Sequence, residues 1–185
     1  MDEAPIADAG PAGKSSLGQR QTAVAGGMLA GVALTVVIFG LGMRPAGDAA
    51  SRGLVFALAA LAPLASLVAA VGWLANHRFL SEQDIDAAAG GAPSRAARIA
   101  QAVIQNTLEQ AVLALGAYAL LAMLLPAGAL FLPWAMAGAF VIGRLAFALG
   151  YSFGAAGRAF GFALTFYPTI AGLIYAGALA VRAIA

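Results

Sequence analysis

The 185-residue chain is 62% hydrophobic and only 10% charged, against roughly half and a quarter in soluble domains, which excludes an ordinary water-soluble globule. Its net charge of +2 gives no basis for a nucleic-acid partner, and without cysteine it has no disulfide framework, thiolate metal site or cysteine nucleophile. Nine arginines against one lysine, among abundant alanine and glycine, suggest a GC-rich bacterial genome.

Residues 1–21 mix Pro, Gly, Ser and scattered charge with no apolar face, too little burial to repay ordering, and read as a flexible tail. Residues 22–43 are uncharged over a length that fits the hydrocarbon core, which needs about 20 helical residues. The competing reading is a signal peptide with Lys14 and Arg20 as its basic region. Such a peptide has an apolar core of about 7–15 residues, so a retained helix is expected. Residues 53–75 form a second span, kinked at Pro63, and residues 76–95 form the long polar connection. Ser81 with Asp84 three residues on resembles a capping box, which predicts a short interfacial helix. A third span runs over 97–125, a tight turn follows at 126–128, and a fourth span occupies 129–149. A glycine-rich joint at 150–157 leads to a fifth span at 159–181. The organisation is therefore a tail (1–21), a first transmembrane helix and loop (22–52) and a four-helix membrane unit (53–185).

With five spans, the first side collects Lys14, Arg20, Arg78, Arg95, Arg98 and Arg158, and the other has Arg44, Arg52 and Arg182. Six against three makes the first side cytoplasmic. The expected location is a bacterial inner membrane, in contact with membrane lipids, with the N-terminus cytoplasmic and the C-terminus outside.

Asn106 and Glu109 lie one turn apart inside the third span. A carboxylate at the bilayer centre costs about 2.5–3.5 kcal/mol on insertion scales, and less toward the interface. In an antiparallel hairpin turning near residue 127, Glu109 and Arg144 both sit about 26 Å from the turn, so Arg144 is the expected partner. Such a pair has two readings: an ion pair that fixes helix register, or part of a polar pocket opening to the cytoplasmic face. Arg144, Tyr151 and Arg158 recur every seven residues and stack on one face if the helix continues through the joint. Asn106 shares a face with Glu109, so these five side chains would converge on one layer. Gly27 with Gly31, Gly150 with Gly154 and Gly157 with Gly161 are G-x-x-x-G pairs that allow close helix approach. His77, the single histidine, reads as a solvated loop residue with no metal cluster to join.

Asn106-Thr-Leu-Glu109 on one helix, followed on the next by Arg144, Gly150-Tyr151 and Arg158, resembles the MAPEG superfamily, membrane-associated proteins in eicosanoid and glutathione metabolism. The resemblance covers 53–185 and implies an all-α four-helix protomer, here preceded by an additional helix, that assembles as a homotrimer. It implies glutathione as cosubstrate, bound between protomers near the cytoplasmic side, and no metal. Arg158 matches the arginine that stabilises the glutathione thiolate in catalytic members. A nearby cation lowers a thiol's pKa. Glu109 and Asn106 would help hold the peptide, and Arg144 and Tyr151 would contact its carboxylates or brace the pocket. Glutathione-using members commonly carry an arginine where this chain has Ala102, with Arg98 one turn away as the substitute. Phe147 stands where a tyrosine is frequent. Two classes of function follow: a glutathione-dependent transferase or peroxidase acting on hydrophobic electrophiles, or a non-catalytic lipid-binding protein or accessory subunit of a larger membrane complex.

Overall fold

Two serines mark where polar connections become helices. Ser51 Oγ accepts from the Leu54 amide at 3.2 Å and Ser94 Oγ from the Ala97 amide at 3.1 Å, each satisfying one of the orphan donors of a helix start. The computed structural model describes residues 17–47, 50–86 and 91–185. Their regular structure is entirely helical: α1 (Leu17–Gly42), α2 (Arg52–Leu80), α3 (Arg95–Leu124), α4 (Leu132–Gly150) and α5 (Gly154–Ile184), with single 3-10 turns at Ala127–Ala129 and Tyr151–Phe153.

Four helical stretches have the length and apolarity to cross a membrane, and the last, Ala127–Ile184, contains both α4 and α5. These two fold back on each other. The turn ends at Gly154, whose φ of +83° is a left-handed conformation open to glycine. Beyond it the hairpin closes tightly: a Cβ at Gly143 would lie 3.0 Å from the Gly161 carbonyl oxygen, and one at Gly172 would lie 2.9 Å from the Met136 side chain. The condition for stacking Arg144, Tyr151 and Arg158 on one face, a helix that continues through the joint, is thus not met. The joint reverses the chain instead of carrying a heptad stripe through it.

The first helix also starts earlier than expected. Residues 17–21, read as part of the tail, are the first turn and a half of α1. Leucine, glutamine and arginine are good helix formers, and Thr22 Oγ1 donates back to the Gly18 carbonyl at 2.9 Å. The rest of the tail, 1–16, lies outside the described residues.

α1 packs on α5 and, toward its C-terminal end, on α4; α2 packs on α3 and α4, and α3 on α5. α1 and α5 run parallel, with Gly27 against Ala159 and Phe160, and Gly31 four residues on against Ala163. Odd-numbered helices therefore run one way and even-numbered ones the other. The large core side chains gather toward one end: Val55 from α2, Tyr118 and Leu121 from α3, Leu132, Met136 and Phe140 from α4. Trp134 locks this end by donating from Nε1 to the Val55 carbonyl at 3.0 Å. Arg52 does likewise, donating from Nη1 to the carbonyls of Ala122 and Met123 at 2.7 and 2.9 Å, which satisfies two orphan acceptors at the end of α3. The opposite half, built from the first turns of α3 and α5 and the last of α2 and α4, holds only small buried clusters around Val103, Phe147, Leu74 and Ala100. The buried Asp84, Thr107 and Arg144 lie in that half.

Among the described residues of the 76–95 connection, 76–80 continue α2 and 82–84 form one turn in place of the predicted interfacial helix. The Ser81 carbonyl accepts from the Asp84 and Ile85 amides at 3.1 and 2.9 Å, but its hydroxyl donates to Asp84 Oδ2 at 3.0 Å where a capping box would have it accept from a backbone amide. Asp84 is buried and gathers two further contacts: the Ser94 amide donates to Oδ1 at 2.8 Å and His77 Nε2 sits 2.9 Å from Oδ2, the same nitrogen lying 3.2 Å from Ser94 Oγ. His77 is thus a half-buried strut and not the solvated residue expected. Hydrogen bonds from the Ser94 hydroxyl and amide, reinforced by His77 and Ser81, hold the Asp84 carboxyl well below the usual carboxylate range; burial opposes them and loses. The node fastens the end of α2 to the start of α3.

Candidate functional site

The polar half separates into distinct environments. Arg144, on α4, is only 5% exposed. Its Nη1 donates to Asn106 Oδ1 on α3 at 2.8 Å and its Nη2 to Thr165 Oγ1 on α5 at 2.9 Å, while the guanidinium carbon lies 4.5 Å from the centre of the Phe147 ring. One arginine thereby ties three helices. Its Nε has no partner, and with Gln110 Oε1 it is one of two such buried side-chain atoms among the described residues. Arg144 also lines a cavity of about 300 Å3 between α2, α3 and α4, with Ser66, Trp73 and Thr107.

The expected Glu109–Arg144 pair does not form. Glu109 is exposed and accepts from Gln105 Nε2 of the preceding turn at 2.9 Å. Matching depth was satisfied, but direction around the helix was not. At 3.6 residues per turn Glu109 stands about 60° around α3 from Asn106. Asn106 borders the interior beside Val103, Thr107 and Gln110, which face inward, and Glu109 falls on the outer face.

Arg158 and Tyr151 meet across the α4–α5 turn. The guanidinium carbon lies 4.7 Å from the centre of the Tyr151 ring, and Tyr151 packs edge-on against Phe147 at 5.4 Å. Both line a cavity of about 440 Å3 whose other walls are Ala102 and Asn106 of α3, Phe147 of α4, Ala155, Ala159 and Phe162 of α5, and Val24 and Met28 of α1. This volume lies in the range of small-molecule pockets. Among the described residues Arg158 has no carboxylate partner.

Arg98 lies outside this cavity. It lines a neighbouring one of about 370 Å3 with Arg78, Gln101 and Gln105, and its Nη1 donates to the Pro93 carbonyl at 2.6 Å. Ala102 borders both cavities. Of the six residues singled out from the sequence, Asn106, Tyr151 and Arg158 therefore share a cavity, Arg144 braces it from behind through Asn106, and Arg98 and Glu109 face elsewhere. Sequence reasoning passed over Thr165, although a threonine pair at 165 and 169 in an apolar helix is a signal worth following. It also passed over Val24 and Met28, which carry no polar signal. No group of three or more potential metal-binding side chains occurs among the described residues.

Residues 53–178, more than half of the chain, match the MAPEG family, and the protein belongs to it. α2 to α5 make up the matched unit; α1 precedes it. No curated protein and no solved structure matches the chain.

Proposed function

We propose that the cavity at Arg158 binds glutathione or a closely related thiol, and that the protein is a membrane transferase or peroxidase acting on hydrophobic electrophiles. The observation that carries this reading is a half-buried guanidinium, without a carboxylate partner among the described residues, on the wall of a small-molecule-sized cavity. A cation so placed lowers the pKa of a bound thiol and raises the thiolate fraction. Such stabilisation of developing charge is what an electrostatic catalyst supplies. Asn106 and Tyr151 add an amide and a hydroxyl for the peptide, whereas Arg144 acts as a brace. Glu109 and Arg98 would reach a ligand from outside the cavity, if a neighbouring chain brings one against the outer face of α3.

A homotrimer would do this. Among the described residues Glu109 and Gln105 answer only each other on the exposed face of a membrane helix, and intramembrane polar groups ordinarily face protein or a water-filled cavity. The six-to-three bias of basic residues supports a cytoplasmic site and N-terminus, and a bacterial inner membrane.

The accessory or lipid-binding reading draws on Ala102, where glutathione-using relatives carry an arginine, and on Arg144 already occupying the Asn106 oxygen. Arg158→Ala separates the two. In an enzyme it lowers turnover of chlorodinitrobenzene far more than it weakens glutathione binding measured by calorimetry, and the ultraviolet absorbance of bound thiolate falls with it. Wild-type protein that binds glutathione but shows neither thiolate absorbance nor turnover has the accessory role.

A further inference from the structure

We propose that α1, which precedes the family-matched unit, is a wall of the Arg158 cavity supplied by the same chain, and that Val24 and Met28 determine which apolar co-substrate the cavity accepts. The proposal rests on the catalytic reading only for the name of the occupant. α1 is seated on α5 by close backbone approach: a Cβ at Gly27 would lie 2.9 Å from the Phe160 nitrogen and 3.1 Å from the Ala159 Cβ, and one at Gly31 would collide with Ala163. One turn from these contacts, Val24 and Met28 face the cavity opposite Ala102 and Asn106 of α3.

α1 packs on α5 and α4 but not to any extent on α3. α1 and α3 therefore stand as two apolar banks with α5 as the floor between them. The cavity is open at the edge formed by the exposed Met28, and Leu29, Val32 and Val36 on the rest of α1 are exposed to the medium around the bundle. An apolar molecule dissolved in the bilayer can enter there without crossing water, while a water-soluble thiol reaches Arg158 from the interfacial end. Met28, unbranched and adaptable, suits a wall that meets apolar chains of varied shape.

The chain has no cysteine, which makes the seating directly testable. Phe39→Cys with Tyr175→Cys, whose rings meet between α1 and α5 with centroids 6.4 Å apart, should be bridged in membranes by a short bis-alkylating thiol reagent, and the product should run as a monomer on a denaturing gel. A product found only as a cross-linked dimer or trimer overturns the proposal, because α1 would then be seated on a neighbour. The second arm uses a fatty acid carrying a terminal diazirine in phosphatidylcholine vesicles. Photolabelling mapped by mass spectrometry should mark Val24 or Met28 together with α3 or α5. Met28→Trp should cut that labelling by about tenfold or more through overpacking. Gly26→Leu, at an exposed position with nothing within 4 Å of an added Cβ, should leave it unchanged. Labelling that ignores Met28→Trp, or never reaches α1, overturns the specificity role. Labelling on α1 in a protein without glutathione turnover would sink the catalytic reading and leave the wall in place.

Discussion

Arg144 reaches Asn106 at 2.8 Å and Thr165 at 2.9 Å, so its two terminal nitrogens are claimed by uncharged oxygens on helices either side of its own. A buried charge held this way depends on geometry, since no carboxylate compensates for a lost hydrogen bond. Asn106→Ala and Thr165→Val should each destabilise the detergent-solubilised protein by about 1–3 kcal/mol, the cost of leaving a buried charged donor unmet. In double-mutant cycles read from thermal unfolding, Asn106 and Arg144 should be strongly coupled, whereas Glu109→Gln should add to Arg144→Gln without coupling.

The Asp84 node predicts an acid-sensitive rim. The folded-state pKa of Asp84 is depressed, so its contribution to stability is fully present above the unfolded value of about 3.9 and is lost as pH falls through the folded value. The difference in unfolding midpoint between wild type and Asp84→Asn should shrink steadily as pH falls below about 4. A difference that grows as pH falls below about 4 would refute the assignment.

Gly154 holds the reversal between α4 and α5 with a φ of +83° and has open space around it. Gly154→Ala should therefore cost about 1–2 kcal/mol through backbone strain alone. Gly161→Ala should cost more, because its Cβ would meet the Phe147 backbone. Chemical denaturation in detergent would rank the two, and the opposite order would count against the hairpin geometry.

Mass measurement in mild detergent should give three copies of the 18.4 kDa chain. Charge reversal on the outer face of α3, as in Glu109→Lys, should shift that population toward smaller species. A stable monomer that binds glutathione with wild-type affinity would remove the neighbour from the site.

The helices could be read from the sequence because each is a long, predominantly apolar run with few charges, set off by serine, proline or glycine, and the medium demands that length. Their polar partners were harder. Depth along a helix follows from counting residues, and it brought Glu109 and Arg144 to one level. Rotation about the axis depends on which neighbours each helix has, and it gave Arg144 to Asn106 and Thr165 instead. The pairing of Tyr151 with Arg158 survived for a reason the heptad spacing did not contain: the chain turns between them and brings them together. Gly27 and Gly31 announced a close approach, but nothing in their pattern says that the surface approached belongs to α5. Ser81 and Asp84 looked like a helix start because the motif records residue types and not the direction of the hydrogen bond.

The parallel seating of α1 on α5 bears on how the protein is made. α1 leaves the ribosome well before its main partner α5, and Gly31 waits for Ala163 through more than a hundred and thirty residues of synthesis. Until then its glycine face has no mate within the chain. Intermediates that hold α1 to α4 display that face to the surrounding lipid, open to any small-residue helix nearby. The cavity at Arg158 gains its α1 wall only when α1 and α5 meet, so a polypeptide interrupted before α5 has an unclaimed α1 and half a cavity.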